Sequence, residues 1–296
     1  MLGGYWQTVL DSDMAVPAER PLNDLTAELV SMLGSSDAVE RDEIAYPILA
    51  TWLSTGVYDD LLVTFGNSMA AGLRVGLGDR DRDTVFRRSF SCLTLAECIA
   101  RDTRASILPV DVVIGWADRS LSWFVRERDD RGWVAGKGWA HTVAHGADLI
   151  AVLGQSRHLA AEHLGILLDV IAERLLSPTP RVWTDGEDDR LAAATLTILQ
   201  RDLVGQQHLD GWVATLRSGL SPLGTATSPR PPAQARNTSA FVRALYAHLA
   251  IGISPTNTAL SFAEPAACRA DLLLDLVRII PDMTPWLYGR ASSPHG

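Results

Sequence analysis

Residues 136–176 read GKGWAHTVAHGADLIAVLGQSRHLAAEHLGILLDVIAERLL. The second half of this stretch, HLAAEHLGILLDVIAERLL (158–176), decides the fold class, because its apolar residues recur at three- and four-residue spacing and so line one face of a helix. Ser177-Pro178-Thr179-Pro180 stops it, since proline cannot continue the hydrogen-bond ladder. On the N-terminal side, the loop WVAGK leads into a further expected helix from about Gly138 to Leu153. The same period extends outward in both directions. Leu25, Leu29, Val30 and Leu33 mark an early helix, and AVERDEIAYPILATWLSTG follows behind Asp37, with Pro47 forcing a kink or a fresh helix start. Residues 57–76 and 81–102 form two more, and Pro109 opens another that ends at RERDDRG. Beyond 180 the helices DRLAAATLTILQRDL and QQHLDGWVATLRSGL are followed by two more, at roughly 237–251 and 264–280. Period-two alternation is nearly absent, so the chain is expected to be all-α, with about eleven helices. Helices of this length joined by short turns pair antiparallel. Without a fixed repeat period, the expected architecture is an irregular HEAT-like α-α superhelix, a single all-helical domain over 1–296. Residues 1–20 are expected to be a loose N-terminus, and 219–235, rich in Pro, Gly, Ser and Thr, a mobile loop.

A chain of 296 residues with 47% hydrophobic content is long enough to bury a large core. Its formal charge of -9 argues against nucleic acid or an anionic membrane surface, either of which calls for a concentrated basic face. No apolar run is long enough to span a bilayer, and the start lacks the basic and apolar regions of a signal peptide, so a cytoplasmic location is expected. Cys92, Cys98 and Cys268 show no CxxC spacing and are expected as free thiols. One count is more pointed: of the 26 basic residues, Lys137 is the only lysine. A compact ammonium kept at one place suits a point contact with an anion or an amine of tunable pKa, and a coding bias toward arginine explains the rest.

The candidate chemistry gathers around that lysine. On a helix His141 and His145 would project side by side, four residues apart, a spacing that suits two imidazoles on one divalent metal ion. The HExxH motif of zinc peptidases fails, because Thr142 stands where the glutamate is needed. Asp148 would lie about 10.5 Å along the helix from His141, too far to share one ion with both histidines, but placed to orient His145. No resident cofactor is expected; a metal at His141 and His145 is the variant, and two buried structural histidines are the bland alternative. GWVAGKGWAH departs from the phosphate-loop pattern, although glycine-rich backbone, a helix start and an ammonium still favour an anion. Trp133 and Trp139 flank the lysine and offer an aromatic wall, or else are core. Two other polar clusters, Arg41, Asp42, Glu43 with Tyr46, and Asp185, Glu187, Asp188 with Arg190, stand at helix openings, where carboxylates also serve as caps.

The segments RDEIAYPILATW (41–52), RGWVAGKGWAHTVAHGADLI (131–150) and VWTDGEDDRLA (182–192) resemble the bacterial family catalogued as Domain of Unknown Function 2785 over roughly residues 40–215. The resemblance implies an all-helical, HEAT-like protein and implies no activity. The family's motif positions correspond here to Arg41, Asp42, Glu43, Lys137, Trp139, His141, His145, Asp148, Glu187 and Asp188; Pro47 departs from the pattern. The expected function is binding of a small anionic or polar molecule in a concave pocket. His141, His145, Asp148 and Lys137 would carry acid/base chemistry there, and Trp139, Arg41, Asp42, Glu43, Glu187 and Asp188 would contact the ligand. The alternative is a non-catalytic scaffold for a protein or peptide partner.

Overall fold

The computed structural model describes residues 2–220, 231–252 and 265–288. Among them the chain is all-α apart from one hairpin, and it divides into two compact units, Met1–Leu159 and Ala160–Gly296. No helix among the described residues is long and apolar enough to cross a membrane.

The first unit is assembled on its longest helix, α5 (Thr84–Ala105), against which α3 (Tyr46–Ser54), α4 (Leu62–Gly72) and α7 (Thr142–Gln155) pack. Helix α6 (Val110–Arg126) closes over α4 and α7. Small residues set the approach distances. A Cβ at Gly146 of α7 would stand 2.3 Å from the Phe124 ring of α6, so glycine lets the helices touch there and fixes which face of α7 turns toward α5. Residues expected to be a loose N-terminus instead begin with helix α1 (Leu2–Asp11). It is held because Trp6 is fully buried and donates its indole N–H to Glu28 at 2.7 Å, on α2 (Leu22–Met32). A lone buried tryptophan is invisible to a search for helical periodicity.

Pro47 produces the fresh start expected of it. Residues Val39–Ala45 form a π-helical stretch, and the N–H of Tyr46 reaches the carbonyl of Arg41, five residues back. A proline in an α-helical ladder would lack its donor and clash with a carbonyl of the preceding turn; the wider coil accommodates it and re-aims Arg41 and Asp42. The charged RERDDRG turn is buried in large part: Glu127, Asp129 and Asp130 are at most 5% exposed. Glu127 accepts from Arg88 Nε and Nη2 (2.5 and 2.8 Å), from the Trp123 indole (2.9 Å) and from two backbone N–H groups. The buried charge is thus paired and hydrogen-bonded, as burial demands.

The second unit centres on α11 (Ala233–Ile251), which packs against α8 (Ala161–Leu176), α9 (Glu187–Leu199), α10 (Gln206–Leu220) and α12 (Arg269–Ile279); α13 (Pro285–Tyr288) is a last short turn. Trp212 is its anchor, edge-on to Phe241 at 6.2 Å and donating to the Leu168 carbonyl at 2.8 Å. Of the expected mobile loop 219–235, residues 221–230 lie outside the described residues, while Gly219 and Leu220 end α10 and Ala233 opens α11.

Candidate functional site

The stretch expected to open a helix at Gly138 folds otherwise. Trp133–Val134 (β1) and Gly138–Trp139 (β2) pair antiparallel, Trp133 opposite Trp139 and Val134 opposite Gly138. Gly136 (φ +74°) turns the three-residue loop, and the Lys137 N–H closes it on the Val134 carbonyl at 2.9 Å, a hairpin geometry that needs a left-handed residue. Gly138 (φ +78°) leaves no room for a side chain: a Cβ would meet Ala38 at 2.8 Å and Arg41 Nη2 at 2.9 Å. The glycines that suggested a phosphate loop are therefore hairpin residues. Helix α7 begins only at Thr142, with His141 as its N-cap residue in a left-handed conformation (φ 48°, ψ 35°), an uncommon state for a non-glycine residue.

The hairpin is clamped from below by Arg41, which is fully buried. Its guanidinium lies over Phe86 (4.1 Å) and Phe90 (4.9 Å). It donates to both carboxylate oxygens of Asp42 (2.8 and 3.2 Å), to the Ser35 carbonyl (2.7 Å) and to the Lys137 carbonyl (2.7 Å). The flat, forked guanidinium stacks and bonds in-plane at once, so Arg41 serves as a strut for the hairpin. Asp42 also accepts the Trp139 N–H; burial raises its pKa above the ordinary value, with Arg41 pulling the other way and Glu43 adding to the rise. Glu43 itself points to solvent. The ammonium of Lys137 is turned to Asp83, 2.7 Å from each carboxylate oxygen, with both side chains well exposed.

The histidines form the centre of the arrangement. His141 stacks on Trp139 (ring centroids 4.1 Å, 19° between planes) and meets His145 edge to face at 5.7 Å. His145 in turn stands edge-on to Phe90 at 5.1 Å. The two imidazoles are 8% and 7% exposed, whereas Trp133, edge-on to Trp139 at 4.8 Å, is 57% exposed. The row thus runs from an exposed indole to a buried imidazole. On α5, Ser89 places its hydroxyl 2.8 Å from Nδ1 of His145, and the Cys92 thiol contacts the His145 carbonyl at 3.4 Å. Eight residues along α5 from Ser89, Glu97 accepts the Tyr46 hydroxyl at 3.0 Å. Burial raises the Glu97 pKa, the Tyr46 hydrogen bond and the Arg104 charge lower it, and Asp148 adds to the rise. Asp148 lies on α7 one turn beyond His145. Ser89, Phe90 and Glu97 had little to announce them in sequence; the signal was Glu97, the one charged residue in the run SFSCLTLAECIA.

Two of the three polar clusters anticipated from sequence, those near 42 and 141, therefore meet within the first unit. The third belongs to the second unit. Gly186 (φ +85°) caps α9, and Glu187, 2% exposed, accepts the Asp185 N–H at 2.8 Å. Burial raises its pKa, backbone N–H donors lower it, and the charges of Asp185 and Asp188 raise it further. The preceding loop is tied down by Asn237, which accepts the Trp183 N–H (3.0 Å) and donates to the Arg181 carbonyl (3.1 Å).

A family model described as a protein of unknown function, DUF2785, matches residues 73–247, more than half of the chain. The chain belongs to the DUF2785 family. The match covers the hairpin, both histidines and the acidic start of α9 but not the 41–52 segment, which carried part of the sequence resemblance. No curated protein and no solved structure matches this DUF2785 chain.

Chemically, the first unit offers two enclosed imidazoles, one of them held by a hydroxyl, beside carboxyls whose pKa values are raised by burial. Imidazole is the side chain whose ordinary pKa lies nearest neutrality, which suits it to passing protons. The imidazoles are also the side chains suited to holding a divalent ion.

Proposed function

We propose that this DUF2785 protein binds a small polar molecule at the histidine row of its first unit and acts on it by histidine acid/base chemistry. The observation that carries the proposal is the row itself: His141 and His145 in edge-to-face contact at 5.7 Å, with Ser89 on Nδ1 of His145 and the exposed Trp133 at the outer end. Enclosed imidazoles with one nitrogen held are the arrangement general acid/base catalysis uses, and indole faces suit the apolar side of a small ligand. Lys137 and Arg41 leave the acting set, because the first is committed to Asp83 and the second to the hairpin; Trp139, His141, His145 and Asp148 stay in it. The proposal needs no cofactor, and a divalent ion at His141 and His145 is its metal-assisted variant. A cytoplasmic setting and an irregular HEAT-like stacking of the helix pairs complete it. The second possibility, a scaffold for a protein partner, is favoured by Leu274 and Val277, which leave α12 with two exposed apolar side chains (57% and 47%).

A thermal-stability screen against sugars, amino acids, phosphates and acyl compounds, run on the native protein and on His141→Ala, separates the two. Expected is a rise in melting temperature with at least one class, of roughly 2–4 °C for each kcal/mol of binding linkage, that His141→Ala abolishes. If no class shifts the native protein, the site proposal fails and the scaffold stands.

A further inference from the structure

We infer that Ser89 holds His145 as the neutral tautomer with its proton on Nε2, so that His145 presents an N–H donor to a ligand oxygen rather than a lone pair to a proton or a metal ion. The inference rests on the histidine row being a small-molecule site and assigns the roles within it. Ser89 is fully buried on α5, and among the described residues its hydroxyl has one hydrogen-bond partner, Nδ1 of His145 at 2.8 Å. A hydroxyl carries one proton to give. The serine's own helix takes none of it: the neighbouring Thr94 hydroxyl donates to the carbonyl four residues back, Phe90, whereas Ser89 is turned toward α7. If Nδ1 carried the hydrogen, it would donate to Ser89, and the buried serine proton would be left without an acceptor, the costlier arrangement for a group with no access to water. With the serine donating, Nδ1 is the acceptor and Nε2 bears the hydrogen.

The ring is also held against reorientation. Phe90 meets it edge-on at 5.1 Å, His141 edge to face at 5.7 Å, and the backbone of His145 is tied at both ends, its N–H to the His141 carbonyl at 2.9 Å and its carbonyl to the Cys92 thiol at 3.4 Å. Rotating the ring to exchange its nitrogens would break the Ser89 contact. Three consequences follow. The atom His145 recognises is an acceptor oxygen, as in a carbonyl, carboxylate, phosphate or hydroxyl group. Within an acid/base pair the base role falls to His141, because the lone pair of neutral His145 is already engaged by Ser89. And the metal-assisted variant loses His145 as a ligand, because a metal ion needs a nitrogen lone pair and the one on neutral His145 is engaged by Ser89. Ser89 is in this sense a positioning residue, acting on a ligand through His145.

The test is long-range proton–nitrogen NMR of the full chain labelled with nitrogen-15, which reads the tautomer of each neutral histidine directly. Expected is an Nε2–H pattern for His145 at a pH where it is neutral, with the population ratio of the two tautomers falling roughly tenfold in Ser89→Ala as one buried hydrogen bond is lost. Ser89→Cys, nearly the same size with a weaker donor, should fall between, and it serves if the alanine variant does not fold. Addition of zinc chloride should leave the His145 nitrogens in the same pattern. An Nδ1–H pattern in the native protein, an unchanged ratio in both variants, or a zinc-coordinated His145 nitrogen would each overturn the inference. A correct tautomer with no ligand in the thermal screen would sink the proposed function alone, and ligand binding with the wrong tautomer would sink this inference alone.

Discussion

Single residues in this protein acquire their roles from what they touch. Arg41 was expected at a ligand and is found bonding the hairpin from beneath, fully buried, with Asp42, Ser35 and Lys137 as its acceptors. Removing it strands a half-buried carboxylate and two carbonyls, so Arg41→Ala should cost about 3 kcal/mol in urea unfolding. A cost under 1 kcal/mol would show the clamp to be incidental. Glu97 gives the opposite sign. Its folded pKa is raised, burial being the largest cause, so between the ordinary carboxyl value and the folded one the native state binds more protons than the unfolded state. Stability from this group is then present below the ordinary value and is lost as pH rises through the folded pKa. Glu97→Gln, which can still accept the Tyr46 hydroxyl, should be more stable than the native protein at pH 7, with the gain fading toward about pH 4. A destabilised variant at neutral pH would contradict the burial of this carboxyl. Such roles are poorly legible in sequence: an arginine and a glutamate read alike whether they face water or a guanidinium.

At the scale of elements, legibility follows the range of the interaction that makes the element. Among the described residues, eleven α-helices between Leu22 and Ile279 are found close to where their periodicity places them, because hydrophobic spacing of three and four residues is a local property of the chain. The misses are elements held by distant contacts. Helix α1 depends on Trp6 meeting Glu28, 22 residues away, and the hairpin at 133–139 depends on Arg41, 96 residues from Lys137. Lys137, the one lysine, illustrates the same point: it braces the hairpin through Asp83, 54 residues back. As an exposed ion pair it should matter little, and Lys137→Ala should lower stability by less than about 1 kcal/mol while leaving ligand binding at the histidine row intact. Loss of binding in a folded Lys137→Ala protein would return the ammonium to the site.

Across the whole molecule, charge and family membership speak most plainly. With a formal charge of -9, the protein should pass unretained through a heparin column at about 0.15 M salt, conditions under which a concentrated basic face binds polyanions; retention would reveal a basic patch that the net charge conceals. The DUF2785 match, 73–247, crosses the boundary between the two compact units at Leu159 and Ala160, so the family's shared portion draws on both. Composition, helical period and motif suffice for the all-α class, for the family and for the choice of GKGWAHTVAHGAD as the stretch to watch, since each of these is written in neighbouring residues. What its polar side chains touch required the folded chain. His145 is held by Ser89, 56 positions earlier, Lys137 pairs with Asp83, 54 positions earlier, and Arg41 bonds the Lys137 carbonyl across 96 positions. Hydrogen bonds and ion pairs form between groups that packing brings within about 3 Å, and the packing of one helix face on another is decided by the tertiary structure, not by any local run of residues.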